Sequence, residues 1–273
     1  MDVQLQTKSI LDRLRKQTTE AIADFAMIKP GDKVMVCVSG GKDSAVMLVL
    51  LEQIRRRAPF PFTLHPVLLD QKQPGFSSEK FETWVKKQGH ELTVLEEDTY
   101  SIVLDKTETG KSYCGLCSRL RRGILYNHAS KMGYQKIALG HHRDDLNTTL
   151  LMNLFFNGRI ASMPPKLKSD DGRNIVIRPM AYLDEDEVRQ ASDELEVPII
   201  PCNLCGSNGN MQRGKVKKLL KAMEGEYAHV GASVLNAQKN IRASQLLDKK
   251  LWAFEKLEEL SGEGRGEDSF VMP

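Results

Sequence analysis

Ser39-Gly40-Gly41-Lys42-Asp43-Ser44 gathers two glycines, two hydroxyls, a cation and a carboxylate into six positions. The run follows the apolar stretch KVMVCV at 33–38 and opens a helical pattern from Ser44 to Arg57. A strand-to-helix junction of this composition binds anions. Glycine lets the backbone approach closely, unpaired N–H groups point outward, and the helix N-terminus favours negative charge. Ser39 and Ser44 add hydroxyl donors and Lys42 a cation. The spacing departs from the Walker pattern, which needs a longer interval between its glycines and its lysine. Read as an ordinary glycine turn, the same string has no reason to carry hydroxyls and charges on both sides.

A second run, Gly140-His141-His142-Arg143-Asp144-Asp145, ends one apolar segment and begins another helical one. Paired carboxylates there fit a Mg²⁺ ion, a hard cation that takes oxygen ligands, or general acid/base work beside a polyphosphate. N-capping by one of the two is compatible with either role. His141 and His142 lack the spacing of helical metal ligands and are read as packing or supporting groups.

Five cysteines stand at 37, 114, 117, 202 and 205. Cys37 lies in an apolar strand pattern and is read as packing. The other four form two C-x-x-C pairs. Cys117 falls at a helix N-terminus near Arg119, Arg121 and Arg122, an environment that stabilises a thiolate. Three chemistries suit the pairs: a four-cysteine zinc site, a redox dithiol, or an iron–sulfur cluster on three thiolates with one iron open.

The elements that must hold these residues alternate. Strands are expected near 33–38, 62–69, 91–96, 136–140 and 174–179. Helices are expected at 6–26, 44–57, 77–88, from Cys117 to Met132, and at 144–156 and 184–195. Such alternation predicts a mostly parallel sheet with helices on both faces, its ligands beyond the carboxyl ends of the strands. The loop 39–44, Asp70 and the run 140–145 all fall at strand carboxyl ends. After about residue 208 strand patterns cease. Helices are expected at 211–223 and 230–260, ahead of a Gly-rich polar tail read as disordered. No repeat of fixed period is present.

Bulk properties exclude little. The longest apolar run is far short of the roughly 20 residues that cross a bilayer, and no signal-peptide core opens the chain, so a cytoplasmic location without membrane attachment is expected. A net charge of +3 neither demands nor excludes a nucleic-acid partner, which leaves local clusters to decide. Candidate phosphate contacts are Arg119, Arg122, Lys166, Lys168, Arg213, Lys215, Lys217, Lys218 and Lys221. Arg55-Arg56-Arg57 instead complements a helix C-terminus. Phe76 and Tyr113 suit either base stacking or packing.

The S-G-G-x-D-S string at a strand-to-helix junction resembles the signature of the PP-loop ATP pyrophosphatases over about residues 31–185. The resemblance implies binding of ATP, its cleavage to AMP and pyrophosphate, and activation of a carbonyl oxygen as an adenylate. Six further segments narrow it: LDQKQPGF (69–76), CGLCSRLRRGILY (114–126), KIALGHHRDD (136–145), MPPKLKSDDG (163–172), IVIRP (175–179) and IIPCNLCGS (199–207). Together with the loop they closely resemble the TtcA family of tRNA 2-thiocytidine biosynthesis proteins over about residues 5–240. The stretch QLLDKKLWAFEKL (245–257) follows that pattern only loosely.

This resemblance implies an α/β fold: a parallel-sheet PP-loop domain of the adenine nucleotide alpha hydrolase-like, HUP type, with helical N- and C-terminal additions. The organisation it suggests is an N-terminal helix (1–30), a PP-loop domain carrying the cysteines (31–208), a helical region (209–260) and the tail (261–273). It further implies thiolation of cytidine 32 in the tRNA anticodon loop, using ATP, Mg²⁺ and a [4Fe-4S] cluster, with a cysteine desulfurase as sulfur source. Carried over by position, Cys114, Cys117 and Cys205 are the cluster ligands, Cys205 being preferred to Cys202. Ser39, Gly40, Gly41, Lys42, Asp43, Ser44, Asp70, Gly140 and Asp145 would bind nucleotide. Lys42, Asp43, Arg121 and Asp144 are the catalytic candidates. A homodimer is expected from the apolar stripes of the helices at 230–260, which an intramolecular partner would bury equally well. A PP-loop tRNA 2-thiouridine synthetase and a zinc-stapled RNA-binding protein are the competing readings.

Overall fold

β1 (Lys33–Val38) lies at the centre of a six-stranded sheet, and Val34, Met35 and Val36 are wholly buried because helices cover both of its faces. This computed structural model describes residues 2–107, 113–201 and 212–257. On one side β1 pairs in parallel with β2 (Thr63–Asp70), which pairs with β3 (Thr93–Glu96). On the other it pairs with β4 (Lys136–Ala138), then β6 (Ile175–Ile177), and β5 (Lys166–Lys168) closes that edge. The order is β3-β2-β1-β4-β6-β5. The chain thus winds outward from β1 in one direction and returns to continue in the other. That reversal opens a crevice beyond the carboxyl ends of β1 and β4, where ligands of open α/β sheets bind.

Helices α1 (Asp2–Asp24), α2 (Lys42–Arg55), α3 (Glu79–Lys87) and α7 (Glu185–Glu194) cover one face. Every residue of α2 from Ser44 to Glu52 is buried, wedged between the sheet, α1 and α7. Removing one of its leucines, such as Leu48, is expected to cost about 2–5 kcal/mol, which makes α2 a rigid mount for the loop before it. The opposite face carries α5 (Cys114–Met132), whose Leu125 and Ala129 pack on Met35, Val67, Ile137 and Val176. Between β3 and α5 lies α4 (Thr99–Lys106), which packs on α5. Beyond β4, α6 (Arg143–Phe156) carries α8 (Gln212–Glu226) and α9 (Val230–Ala237) on its outer side.

The expected parallel sheet is present with one addition. The 166–168 segment, outside the expected strands, forms the antiparallel edge strand β5; three residues are too few for their alternation to register in sequence. A helix not anticipated, α4, starts where the Asp98 carboxylate accepts the Ser101 N–H at 3.0 Å. The long helix expected over 230–260 is corrected: α9 ends at Ala237, and among the described residues after it there are only short 3-10 turns at Ala243–Gln245 and Phe254–Lys256. Just past α9, the Gln238 amide is drawn to Asn147 Oδ1 at 3.0 Å, a tertiary bond that periodicity cannot reveal. The tail at 261–273 lies outside the described residues. Among those residues no helix is long and apolar enough to cross a membrane.

Candidate active site

The loops after β1 and β4 meet face to face in the crevice. Gly40 takes φ +75°, and a Cβ there would fall 2.6 Å from Ile200, so both conformation and space require glycine. Across the crevice, a Cβ on Gly140 would come 3.1 Å from the Ser44 backbone nitrogen. The loop is braced from within: Ser39 N–H donates to Ser44 Oγ at 3.0 Å, and that hydroxyl donates to the Gly41 carbonyl at 3.0 Å. Gly41 occupies the N-cap of α2 without a side-chain cap, which leaves first-turn N–H groups for an anion.

Asp43 and Asp145 converge on one imidazole. His142, 2% exposed, places Nε2 3.9 Å from Asp43 Oδ1 and 3.4 Å from Asp145 Oδ2. Burial opposes charge on both partners. The neighbouring acids nonetheless raise the His142 pKa, and His142, His141 and Arg213 hold Asp145 below the usual carboxylate range. Between the loops lies a cavity of about 260 Å³ lined by Ser39, Asp43, Ser44, Arg121, His141 and Asp145 among others. Burial, seconded by Arg178, pushes His141 down to about 4, and its Nδ1 is buried without a hydrogen-bond partner. The donor set therefore offers two hard carboxylates, hydroxyls, backbone N–H groups and one guanidinium, which suits a Mg²⁺-bound polyphosphate.

Two expected site residues turn elsewhere. Asp144 is 4% exposed and faces α7, accepting the Glu185 N–H at 2.9 Å. Lys42 extends its Nζ to Asp43 (2.6 Å) and to Glu185 Oε1 (3.3 Å) rather than into the cavity. Sequence reasoning missed Glu185, which is 6% exposed; it stands in an acidic helix start that reads as ordinary dipole complementation. Its burial is offset by Lys217, at 2.5 Å, and by Lys42, so its carboxyl stays below the usual range.

α8 presents one basic face to these acids. Arg213, Lys217 and Lys221, four residues apart, reach Asp145 (2.6 Å), Glu185 (2.5 Å) and Asp144 (3.7 Å). Lys215 and Lys218 point to solvent. Of the other basic candidates, Arg119, Arg122 and Lys168 are exposed. Lys166 donates to the Ala26 carbonyl at 2.5 Å. Arg55 and Arg56 both grip Glu52, in keeping with their reading as helix-end cations.

The first cysteine pair opens α5, one turn before Arg121. Cys117 is 9% exposed, packed among Val103, Tyr113, Leu116 and Leu120, and its Sγ donates to Gln71 Oε1 at 3.2 Å. Gln71 lay inside a motif used for the resemblance, yet nothing in its type marked it as the neighbour of a thiol. Asp70, beside it, accepts the Lys72 N–H at 2.6 Å and so shapes the turn after β2. Cys37 packs with the core under α5, and burial pushes its thiol up to about 12, in accord with a packing role. Phe76 packs against the main core. Cys202 and Cys205 lie outside the described residues, but the chain leading to them is anchored where Ile200 N–H donates to the Gly40 carbonyl at 2.9 Å.

Comparison with known proteins gives a consistent result. A family model described as a PP-loop domain matches residues 10–198. The chain is 51% identical over 245 residues to a tRNA-cytidine(32) 2-sulfurtransferase of Bdellovibrio bacteriovorus, spanning 90% of this chain and 94% of that protein. A protein of the same name from Alcanivorax borkumensis is 50% identical over 256 residues, 94% of this chain and 89% of its own. Among solved structures, the U34-tRNA thiolase NcsA of Methanococcus maripaludis, determined with its [4Fe-4S] cluster, superposes with a TM-score of 0.67. It covers 85% of this chain and 78% of its own at 21% identity, a likeness of fold.

Proposed function

The chain belongs to the PP-loop family of tRNA-cytidine(32) 2-sulfurtransferases, and we propose that it adenylates the C2 oxygen of cytidine 32 with ATP and replaces that oxygen with sulfur. The observation that carries this reading is one crevice in which the Ser39–Ser44 loop and Asp145 face Arg121, with Cys117 one helical turn from that guanidinium.

A cytidine C2 carbonyl is a poor electrophile because its oxygen leaves badly. When that oxygen attacks the α-phosphorus of ATP, pyrophosphate departs; when sulfur then attacks C2, AMP departs with the former carbonyl oxygen. Each residue has a task in that sequence. Ser39, Gly40, Gly41, Ser44 and the first N–H groups of α2 cradle phosphate oxygens. Asp43 and Asp145 would hold a Mg²⁺ ion, which when bound would supply charge neutralisation on the pyrophosphate. Arg121 orients the adenylated base. Lys42 and Asp144 act from behind, fixing α2 and α6 against Glu185. Gly140 keeps the second loop close to the first, and Asp70 sets the turn that brings Gln71 to Cys117.

Cys114, Cys117 and Cys205 would hold a [4Fe-4S] cluster, which when bound supplies and activates the sulfur. The apolar shelter around the Cys117 thiol suits a soft, oxygen-sensitive group. The target base must leave its stack to reach the crevice, which is easier in an anticodon loop than in a helix. A cysteine desulfurase is the source of sulfur in this reading. An exposed apolar row at Leu219, Met223 and Tyr227 supports pairing with a second copy.

The deciding experiment incubates chain purified without oxygen with ATP, Mg²⁺ and unmodified tRNA. 2-Thiocytidine by mass spectrometry, with AMP and pyrophosphate in step, is expected. Thiolated uridine instead would move the substrate to the 2-thiouridine synthetases. One tightly bound zinc with no labile sulfide and no AMP would leave a zinc-stapled RNA-binding protein.

A further inference from the structure

Arg213 stands at the rim of the cavity. Its guanidinium donates to Asp145 Oδ1 at 2.6 Å and to Thr149 Oγ1 at 3.4 Å, while 43% of the side chain stays open to solvent. The helix that carries it does not depend on that pair for its position. Val216 and Leu220 of α8 are buried, and Lys217 and Lys221, one and two turns further along the same face, pair with Glu185 and with Asp186, Asp144 and Glu224. Arg213 is therefore a cation presented by an independently docked helix to a carboxylate of the cavity.

A Mg²⁺ ion on the Asp145 carboxylate would draw electron density from the oxygen that the guanidinium holds and so weaken that hydrogen bond. The guanidinium so loosened stands beside a carboxylate that lines the cavity, where a bound triphosphate would bring anionic oxygens. A planar guanidinium matches two phosphate oxygens at once, which an ammonium does not. The pair it leaves is solvent-exposed on the arginine side, and pairs of that kind hold weakly. We propose that Arg213 is a phosphate-binding residue of the nucleotide site, exchanging Asp145 for the triphosphate as Mg²⁺·ATP engages that carboxylate. The inference rests on the reading of the 39–44 loop as an ATP site and adds a ligand from outside the PP-loop core. α8 thereby completes the site instead of merely covering it.

Calorimetric titration of the full chain with the analogue AMPCPP in Mg²⁺, and separately with adenosine, tests this. Arg213→Gln is expected to weaken AMPCPP by about tenfold or more, the size of one charge-assisted hydrogen bond. Adenosine, which has no phosphate, should bind this variant within about twofold of the wild type. Arg213→Lys should recover part of the AMPCPP affinity. An Arg213→Gln chain that binds AMPCPP as the wild type does, or loses both ligands equally, overturns the inference and leaves the ATP reading standing. A wild-type chain that binds neither ligand overturns the ATP reading and the inference with it.

Discussion

The backbone N–H of Ile200 donates to the carbonyl of Gly40, and the Ile200 side chain fills the space a Cβ on Gly40 would need. The chain entering the second cysteine pair is thus seated directly on the phosphate loop. Gly40→Ala meets two costs: a positive φ that L-residues resist and a clash with Ile200. A loss of about 1–3 kcal/mol of stability is expected, with AMPCPP binding abolished. In Gly40→Ala/Ile200→Ala the clash is relieved and the φ cost remains, so a urea midpoint between those of the wild type and the single variant should follow. An unshifted midpoint in Gly40→Ala would show that the seat is not there.

Among the described residues, Cys117 bonds Gln71 and packs in a small apolar cluster, and none of these neighbours belongs to the 39–44 loop. Cluster retention and nucleotide binding should therefore separate. Cys117→Ala and Cys114→Ala are each expected to abolish tRNA thiolation and to strip the protein of its iron, about four atoms per chain for a [4Fe-4S] group. AMPCPP affinity should stay near the wild-type value in both. Iron analysis after anaerobic purification, beside calorimetry, checks this; a Cys117→Ala chain that keeps its iron would refute the ligand assignment.

What sequence could reveal here was what repeats or sits locally. The 3.6 and 2.0 periodicities located most elements of the sheet and its covering helices, and glycine, hydroxyl and charge at a strand-to-helix junction located the phosphate loop. Long-range pairing stayed hidden. Nothing near Lys42 in the chain announces Glu185, 143 positions away, and nothing in α8 says which of its cations face inward. Composition does not record facing, so sequence alone groups Arg213, Lys217 and Lys221 with Lys215 and Lys218 as candidate phosphate contacts. The helix face does: the first three meet acids of the crevice and the other two meet water. Edge strand β5 and the end of α9 escaped for the same reason, since both depend on partners distant in sequence.

Glu52 gives a pH signature separate from the site. Burial would raise its pKa, but hydrogen bonds from Arg55 and Arg56 prevail and lower it from 4.5 to about 2. A carboxyl depressed in the folded state contributes stability that is fully present above the unfolded value and is lost as pH falls through the folded one. Stability should hold down to about pH 4.5 and then fall toward pH 2 by about 2–3 kcal/mol on this account. Arg55→Gln/Arg56→Gln should lower stability at pH 7 and flatten that acid limb while leaving tRNA affinity unchanged. Weakened tRNA binding in this variant would instead make the arginine run part of the RNA surface.

Lys215 and Lys218 are the two cations of α8 that no acid of the crevice engages, and they stand on the helix that brings Arg213 to its rim. A tRNA backbone that reaches the crevice over the α8 side would meet these two lysines. Each lysine that neutralises a phosphate releases condensed counterion, so the two together should account for about 1–2 units of the slope of log affinity against log salt. Lys215→Ala/Lys218→Ala is expected to weaken tRNA binding at low salt and to make that slope shallower by this amount. AMPCPP affinity should be unchanged, because neither side chain reaches the cavity. Binding of labelled tRNA measured across a salt series decides the matter. A slope equal to that of the wild type would mean that the tRNA approaches from the α5 side, over Arg119 and Arg122, and that the outer face of α8 is only a solvated one.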